Sequence, residues 1–481
     1  MTVTGQRFSR MLIEKISTKK TPLEIFDGFA GENYSIFLDS SDENPSFGRY
    51  SFIFTDPFYK FTARSSDCFS RLRRALAKVH PCPSVNAGAN QPFNEKIPAG
   101  AAAGYFSYDA GLRLEKIKTK SYDELKWPLI QLGFYDAFFF YDHLHKNLYA
   151  LSTGLPETTP RKKSERAKRR LDLFMKRILR PTKGTSADDQ ESGEYCPASD
   201  GMPQISSNFT KSRYVRAVNR IKEYIAAGDV YQVNLSRRFY SEINLPPYVL
   251  YKNIRWKNRV PFGAYLNFGR KKILSFSMER FLKIKGQVAE TRPIKGTAPR
   301  GKNRAQDERN ARGLFSSEKN KAELLMIVDL ERNDLGRVCE YGSVHVDRLY
   351  EIEKYATVFH LVSTIRGKIA SGRTPLDCLT ACFPGGSITG APKIRSMEII
   401  DELEKTGRGV YCGSIGYMGF DGTCDINVAI RTIVIDGKKA VFNSGGGITY
   451  DSNPVQEYEE TIHKVRTFLD ELKYHLSNVK T

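Results

Sequence analysis

At 481 residues, 40% of them hydrophobic and 12% aromatic, the chain is long enough for two domains or one large double-layered domain, and global disorder is excluded. A formal charge of +20 at pH 7 suits an anionic small substrate or an acidic partner as well as a nucleic acid, but no nucleic-acid-reading module is present, so no nucleic-acid partner is expected. No apolar run approaches a membrane span, the opening MTVTGQRFSRMLIEKISTKK is too charged for a secretory signal, and the eight cysteines lack a CxxC pair, so a reduced, cytoplasmic setting away from the membrane is expected.

Residues 8 to 30 read as helical, with Phe8, Met11, Leu12 and Ile16 near one face and Pro22 opening a second helix toward Gly28. The runs YSIFLDS, RYSFIFTDPFYKFTAR, AAAGYFSYDAG, LIQLGFYDAFFFYD and KNLYALST read as strands, rich in Tyr, Phe and Ile and broken by turn residues. They make residues 1–154 a mainly antiparallel first part. Residues 155–208 break the pattern with a basic amphipathic segment, followed by the polar PTKGTSADDQESGEYCPASDGMPQ, which reads as a flexible linker.

The second part, 209–476, opens with a helix: Thr210 as N-cap, an apolar stripe of Tyr214, Val218, Ile221 and Ile225, and a stop at Gly228. In the strand VYQVNLSRRF, Tyr231, Val233 and Leu235 suit the core, leaving Gln232 and Asn234 on a face that is either a cleft wall or solvated. SMERFLKIKGQVAETRPIKGT reads as strands joined at Lys285-Gly286, with Glu279 at the entry. Within it, a sharp turn at Gly296 would bare Lys295. Arg292, Arg300 and desolvation would favour the lysine's neutral, nucleophilic form, the alternative being a solvated surface lysine.

The long helix EKNKAELLMIVDLERNDLGRV carries Glu323 among apolar residues, where a carboxylate needs a partner such as a metal ion. His360 lies on a β-rich stretch and reads as structural or catalytic. FPGGSITGAPKIRSMEIIDELE is a glycine-rich loop feeding a helix with Pro392 in its first turn, and its backbone N–H groups suit a carboxylate or phosphate. Hairpin turns follow at Asp421-Gly422 and Asp436-Gly437, and Gly445, Gly446 and Gly447 let backbone approach a ligand closely. The last helix starts at Asn453-Pro454 with a stripe of Tyr458, Ile462, Val465, Leu469 and Leu472. Its Glu457, Glu460 and Lys464 gather on another face, either as a solvated ion pair or as part of a Mg²⁺ site with Glu323.

These stretches together resemble the chorismate-utilising enzyme family over nearly the whole chain, through GDVYQVNLSRRF, SMERF, PIKGT, AELLMIVDLERNDLGR, VFHLVSTIRG, FPGGSITGAPK, CGSIGYMG, AIRT, NSGGGI and EYEETIHK. FLDSS, GRYSFIFTDP and GYFSYDAG are similar to its component I members, which take ammonia from a separate glutamine amidotransferase subunit. The resemblance implies an α/β (α+β) fold, a large sandwich of two antiparallel sheets with outer helices and a cleft in the C-terminal part. It also implies roles for this chain's residues. Glu323 and Glu460, with Glu457 through water, would hold Mg²⁺. Tyr417, Arg431, Lys464 and the backbone of Gly445 to Gly447 would hold the carboxylates of chorismate, with Gln232, Thr297 and Ala391 lining the site. Lys295 would be the nucleophile and Glu279 the general acid, and His360 matches a histidine tied to pyruvate elimination. Water-using members carry lysine where this chain has Gln232, and anthranilate synthases usually carry alanine where it has Lys295. The pair points to the folate-branch members, which aminate chorismate at C4, with anthranilate formation as the rival reading. Two departures stand out. Asn320 replaces the usual acid one turn before Glu323, an expectation of weaker Mg²⁺ affinity. LDSS differs from the Leu-Leu-Glu-Ser of tryptophan-regulated members, which puts that feedback in doubt.

Overall fold

Short runs of aromatic and β-branched residues, punctuated by turns, assemble among the described residues into two antiparallel sheets of 13 and 10 strands. The structure, a computed structural model, describes residues 3–8, 11–42, 48–79, 97–122, 124–179, 205–355 and 358–472. The expected linker, Cys82 and Cys196 lie outside these residues.

Strand alternation makes the sandwich. Ile36, Phe52 and Phe54 of the larger sheet bury against Tyr105, Ile130 and Leu132 of the smaller one, forming the core between the sheets. Phe37, Ile53 and Phe139 point the other way, onto helices that contribute Phe26, Phe174, Tyr251 and Leu469. The expected sandwich with outer helices is the architecture found. Both sheets run through the boundary expected near residue 154: Ser35–Asp39 pairs with Phe262–Phe268, and Ala101–Phe106 with Ser414–Gly419.

The start of the chain corrects the sequence reading. Met11–Ile16 is a strand, paired with Asn147–Ser152, and only Pro22–Phe26 is helical, started by a Thr21–Glu24 capping box. Met11, Ile13 and Ile16 are buried, so Met11 and Ile16, expected on a helix stripe, serve a strand paired on both sides, by Val3–Phe8 and Asn147–Ser152. Tyr231 is a second correction: it is 73% exposed, while Val233 and Leu235 enter the core.

Other elements form where expected. The basic segment is the helix Pro160–Leu179, which buries Leu171, Phe174 and Ile178 and leaves Arg161, Lys162, Lys168 and Arg169 exposed. Thr210 caps Lys211–Ala226 by accepting from the Arg213 N–H at 3.3 Å, and Gly228 past its end has φ +81°. The last helix breaks at Val465 into Pro454–Lys464 and Arg466–Glu471. Among the described residues no helix is long and apolar enough to cross a membrane.

Candidate active site

Lys295 belongs to the strand Ile294–Pro299, which pairs with Val358–Lys368 in a register that slips between Lys295 and Thr297. The slip is a bulge at Gly296, φ +77°, where a Cβ would also sit 2.8 Å from the Asn320 side chain. The glycine therefore bends the strand at the lysine, in place of the turn expected from the sequence. Lys295 is half-buried, and its Nζ donates to the Ser387 carbonyl at 3.4 Å, which also accepts from Asn234 Nδ2 at 3.1 Å. Burial lowers the lysine's pKa, Glu323 and Glu279 oppose it, and Lys464 adds to the lowering. The neighbouring arginines do not supply the effect expected of them. Arg292 is committed to Glu353, and Arg300 to Asp307 through two 2.7 Å hydrogen bonds.

Glu279 is buried at the head of Arg280–Lys285. Burial pushes its carboxyl up to about 7, against the pull of the Ser387 hydroxyl, Lys295 and the Ile294 N–H. A carboxyl poised near neutrality can give and retake a proton. His360 lies opposite Thr297, whose hydroxyl meets its Nδ1 at 3.0 Å. Burial, and then Arg431, push this imidazole down to about 4, and its Nε2 is buried without a partner. It is a neutral ring with one unused nitrogen. Arg431 adopts φ +48°, burial lowers its pKa, and its guanidinium makes no hydrogen bond or ion pair among the described residues. An unpaired, desolvated guanidinium is a natural seat for a carboxylate.

The opposite wall is built on Gln232–Glu242. Gln232 lies opposite Ala391 and is fully buried, with neither amide atom partnered. The adjacent strand Lys439–Ile448 brings Gly447 so close that a Cβ there would meet Gln232 Nε2 at 2.7 Å. At Gly446 a Cβ would lie 3.4 Å from Glu457 Oε2 and Lys464 Nζ and 3.6 Å from Glu460 Oε1. The glycines thus leave room for two carboxylates and an ammonium to converge over the strand. Lys464 pairs with Glu460 at 2.5 Å and donates to the Gly445 carbonyl at 2.9 Å. Burial raises the Glu457 pKa, Glu460 adds to this, and Lys464 and Lys319 oppose it. Glu323, on the helix Glu318–Gly336, pairs with Lys319 at 3.9 Å; Lys319 acts on Glu457, and Glu323 acts together with Lys464 on Lys295, which sets it near this wall. No group of three His, Cys, Asp or Glu side chains gathers as a metal cage among the described residues. Mg²⁺ is ordinarily held by one or two carboxylates and keeps its remaining waters, so this donor set suits it.

Tyr417 does not join the cleft. Its ring lies 5.1 Å from that of Phe52 and lines a cavity of about 90 Å³ between the sheets, together with Asp39, Ser40 and Arg280. On the strand Ser414–Gly419, alternation turns this side chain toward the inter-sheet core. The side chain of Asp39, from the LDSS run, is held by Arg255 and, at 2.9 Å, by Tyr251, both on the outer helix Pro247–Lys257. The glycine-rich loop is likewise buried from Phe383 to Ala391, so its backbone forms the floor of the cleft rather than an exposed rim.

The sequence reading missed Ser387 and Glu331. Ser387 carries no signal of its own beyond lying in the glycine-rich loop. Glu331 does: it falls in the stripe Leu324, Ile327, Val328, Leu335 at helical spacing, a carboxylate set among core positions.

Two interleaved sheets with a cleft combining a desolvated lysine, a near-neutral carboxyl, an unpaired arginine and facing carboxylates define an enzyme for a small anionic substrate. The sequence profile of the chorismate binding enzymes matches residues 34–470, and the chain belongs to that family. It is 42% identical to aminodeoxychorismate synthase component 1 of Bacillus subtilis (strain 168), over 77% of each chain. It is 34% identical to anthranilate synthase component 1 of Acetivibrio thermocellus, over 95% of this chain and 94% of the other. The crystal structure of anthranilate synthase component I from Streptococcus pneumoniae TIGR4 superposes with a TM-score of 0.74 at 28% identity, covering 87% of this chain and 91% of that one.

Proposed function

We propose that the protein aminates chorismate at C4 to give 4-amino-4-deoxychorismate, as an aminodeoxychorismate synthase component I fed with ammonia by a glutamine amidotransferase partner, in p-aminobenzoate and folate biosynthesis in the cytoplasm. The observation that carries this reading is the cleft's combination of Lys295, Glu279 and Gln232: a desolvated amine, a carboxyl near neutrality and a buried neutral amide. Arg431 and Lys464 bind the substrate carboxylates, with the glycine strand leaving room for them. Glu323 and Glu460, with Glu457 through water, would hold Mg²⁺, which when bound draws charge onto the ring carboxylate and makes the ring a better electrophile.

Lys295 Nζ forms a bond to C2 as the ring double bonds shift and the C4–O bond breaks. Glu279 gives its proton to the departing oxygen, which leaves as water. Ammonia then attacks C4, the double bonds shift back, and the C2–N bond breaks to return a neutral Lys295. The new C4 ammonium gives a proton back to Glu279, so the chain ends each turnover unchanged. Gln232 has no basic nitrogen with which to take a proton from water, which keeps C2 for the lysine. His360, neutral and unable to give up a ring proton readily, positions groups in this scheme.

Incubating the protein with chorismate, Mg²⁺ and ammonium salt, with products identified by mass and fluorescence, tests the reading. Aminodeoxychorismate should accumulate. Fluorescent anthranilate formed without a second enzyme would replace it with the anthranilate reading, which the 34% identity to anthranilate synthase component 1 keeps close at hand. No turnover, together with salt-steep binding to duplex DNA, would favour a basic nucleic-acid-binding protein on this fold instead.

A further inference from the structure

Beneath the glycine-rich loop, Glu331 occupies a place that the reaction above does not use. It is 6% exposed, on the inward face of Glu318–Gly336, and accepts a hydrogen bond from the Thr291 hydroxyl at 2.6 Å. Its stem underlies the 3-10 turn Gly386–Ile388, where a Cβ on Gly386 would come within 3.5 Å of Glu331 Cγ. That turn is the same one whose Ser387 carbonyl takes Lys295 Nζ and whose Ser387 hydroxyl faces Glu279. Glu331 is therefore one layer behind both reacting groups.

Among the described residues, four charged groups act on it or on its partner. Glu279 faces it from the head of Arg280–Lys285, Lys295 from Ile294–Pro299, Asp334 from its own helix, and Lys393 from the start of Lys393–Glu404. Lys393 is already committed, donating to Asp334 at 2.5 Å and to the Cys382 carbonyl at 2.8 Å. Among the described residues Lys295 is the cation that acts on both buried carboxyls, and as a nucleophile it must be uncharged. Two buried carboxyls that face a lysine in its uncharged form do not both ionise readily, so the pair keeps a proton between them when the lysine is ready to attack.

We propose that Glu331 is a positioning residue, the second member of an acid pair with Glu279, which keeps a proton available to Glu279 and holds the Gly386–Ser387 turn against Lys295. It rests on the reading of Glu279 as the acid of the amination. Burial raises the Glu331 carboxyl to about 8, with Glu279 and Asp334 adding and Thr291 and Lys393 opposing, in keeping with a carboxyl that stays protonated at neutral pH. No net proton is consumed by the pair: Glu279 gives one to the leaving oxygen and regains one from the product ammonium, while Glu331 keeps Glu279 from losing its proton to solvent between turnovers.

The test compares wild type, Glu331→Gln, Thr291→Val and Glu279→Gln in two measurements: the pH profile of kcat for chorismate amination, and thermal stability as a function of pH. Glu279→Gln identifies the limb that reports the shared proton, by abolishing it. In Glu331→Gln, kcat should fall about tenfold with KM for chorismate little changed, and that limb should move to lower pH by about one unit, because a neutral amide no longer helps hold the proton. Thr291→Val removes a donor that favours the Glu331 carboxylate, so its limb should move the opposite way, and it serves as the second variant if Glu331→Gln folds poorly. In the stability arm, a carboxyl whose folded pKa is raised favours the folded state below its unfolded pKa and loses that advantage as pH climbs to its folded value. Wild-type Tm should therefore fall between pH 5 and about 8 more steeply than that of Glu331→Gln. An unmoved limb in both variants, or parallel losses in kcat and KM without any shift, overturns the proposal in favour of plain packing. Equal Tm slopes overturn the shared proton. Absence of wild-type turnover would instead overturn the amination reading, and the catalytic half of the proposal with it, a result distinct from equal slopes.

Discussion

The nucleophilic role proposed for Lys295 calls for a neutral amine, and burial lowers its pKa against the pull of Glu323 and Glu279. An ordinary lysine, with a pKa of about 10.4, is almost wholly protonated at pH 7; desolvation at the cleft floor is the first cause that lowers it. Lys295→Ala should abolish a covalent adduct with chorismate, detectable by intact-protein mass after quenching with Mg²⁺ and no ammonia, and should slow amination at least about a hundredfold as a lost nucleophile. An adduct that survives in the alanine variant would leave the lysine only an electrostatic role. Gln232→Lys should put an amine that can act as a base when neutral against Ala391 and admit some conversion of chorismate to isochorismate by water. Unchanged products and ammonia use would mean that this amide does not face the reacting carbon. At this scale the sequence was informative about side-chain chemistry and poor about direction. The motifs single out Lys295, Glu279 and Gln232 as candidates, but Arg292 and Arg300 lie near the lysine in sequence while their charges are spent on Glu353 and Asp307. Tyr417 was misplaced for a related reason: a motif names a residue without saying which face of its strand it takes.

Among the elements, the strand Lys439–Ile448 sets the shape of the cleft by what it lacks. Gly446 and Gly447 stand side by side, yet a methyl group has different consequences at each. At Gly446 it would make ordinary contact at 3.4 Å, while at Gly447 it would press into the Gln232 amide at 2.7 Å. Gly447→Ala should therefore lower kcat at least about tenfold with a stability loss of about 1–3 kcal/mol from overpacking, whereas Gly446→Ala should cost less in both. Steady-state kinetics and urea melts of the two variants make the comparison, and equal effects would remove Gln232 from the cleft wall. Legibility at this scale followed local signals. Thr210, Gly228 and Asn453 mark helix ends through their own caps, so those helices fall where expected. The strand Met11–Ile16 escapes a sequence reading because its four apolar residues in a short, charged run fit either period, and the strand Asn147–Ser152 that settles the matter lies more than 130 residues away.

At the scale of the whole molecule, the strand order shows why the site cannot be cut out of the chain. The C-terminal region contains Lys295, Glu279, Gln232 and the glycine strand, but its sheets are not complete without the first part. Phe262–Phe268 has the N-terminal Ser35–Asp39 as one neighbour and Lys271–Ser277 as the other, and Ser414–Gly419 lies between Ala101–Phe106 and Cys424–Asn427. Removing residues 1–204 would open an edge in each sheet at these central positions and bare the faces that Phe52, Phe54, Tyr105 and Leu132 now cover. Sequence composition pointed to a break near residue 154 because strand-rich and linker-like stretches meet there, but hydrogen-bond partners across 200 residues leave no local mark. A chain starting at residue 205 should therefore aggregate or remain unfolded, seen as lost NMR dispersion and no cooperative melt. Co-expression with residues 1–179 should restore a soluble complex that binds chorismate, because the missing strands would be supplied in trans. A soluble, cooperatively melting C-terminal fragment that turns over chorismate alone would show that the shared sheets are dispensable and that the catalytic half carries its own core.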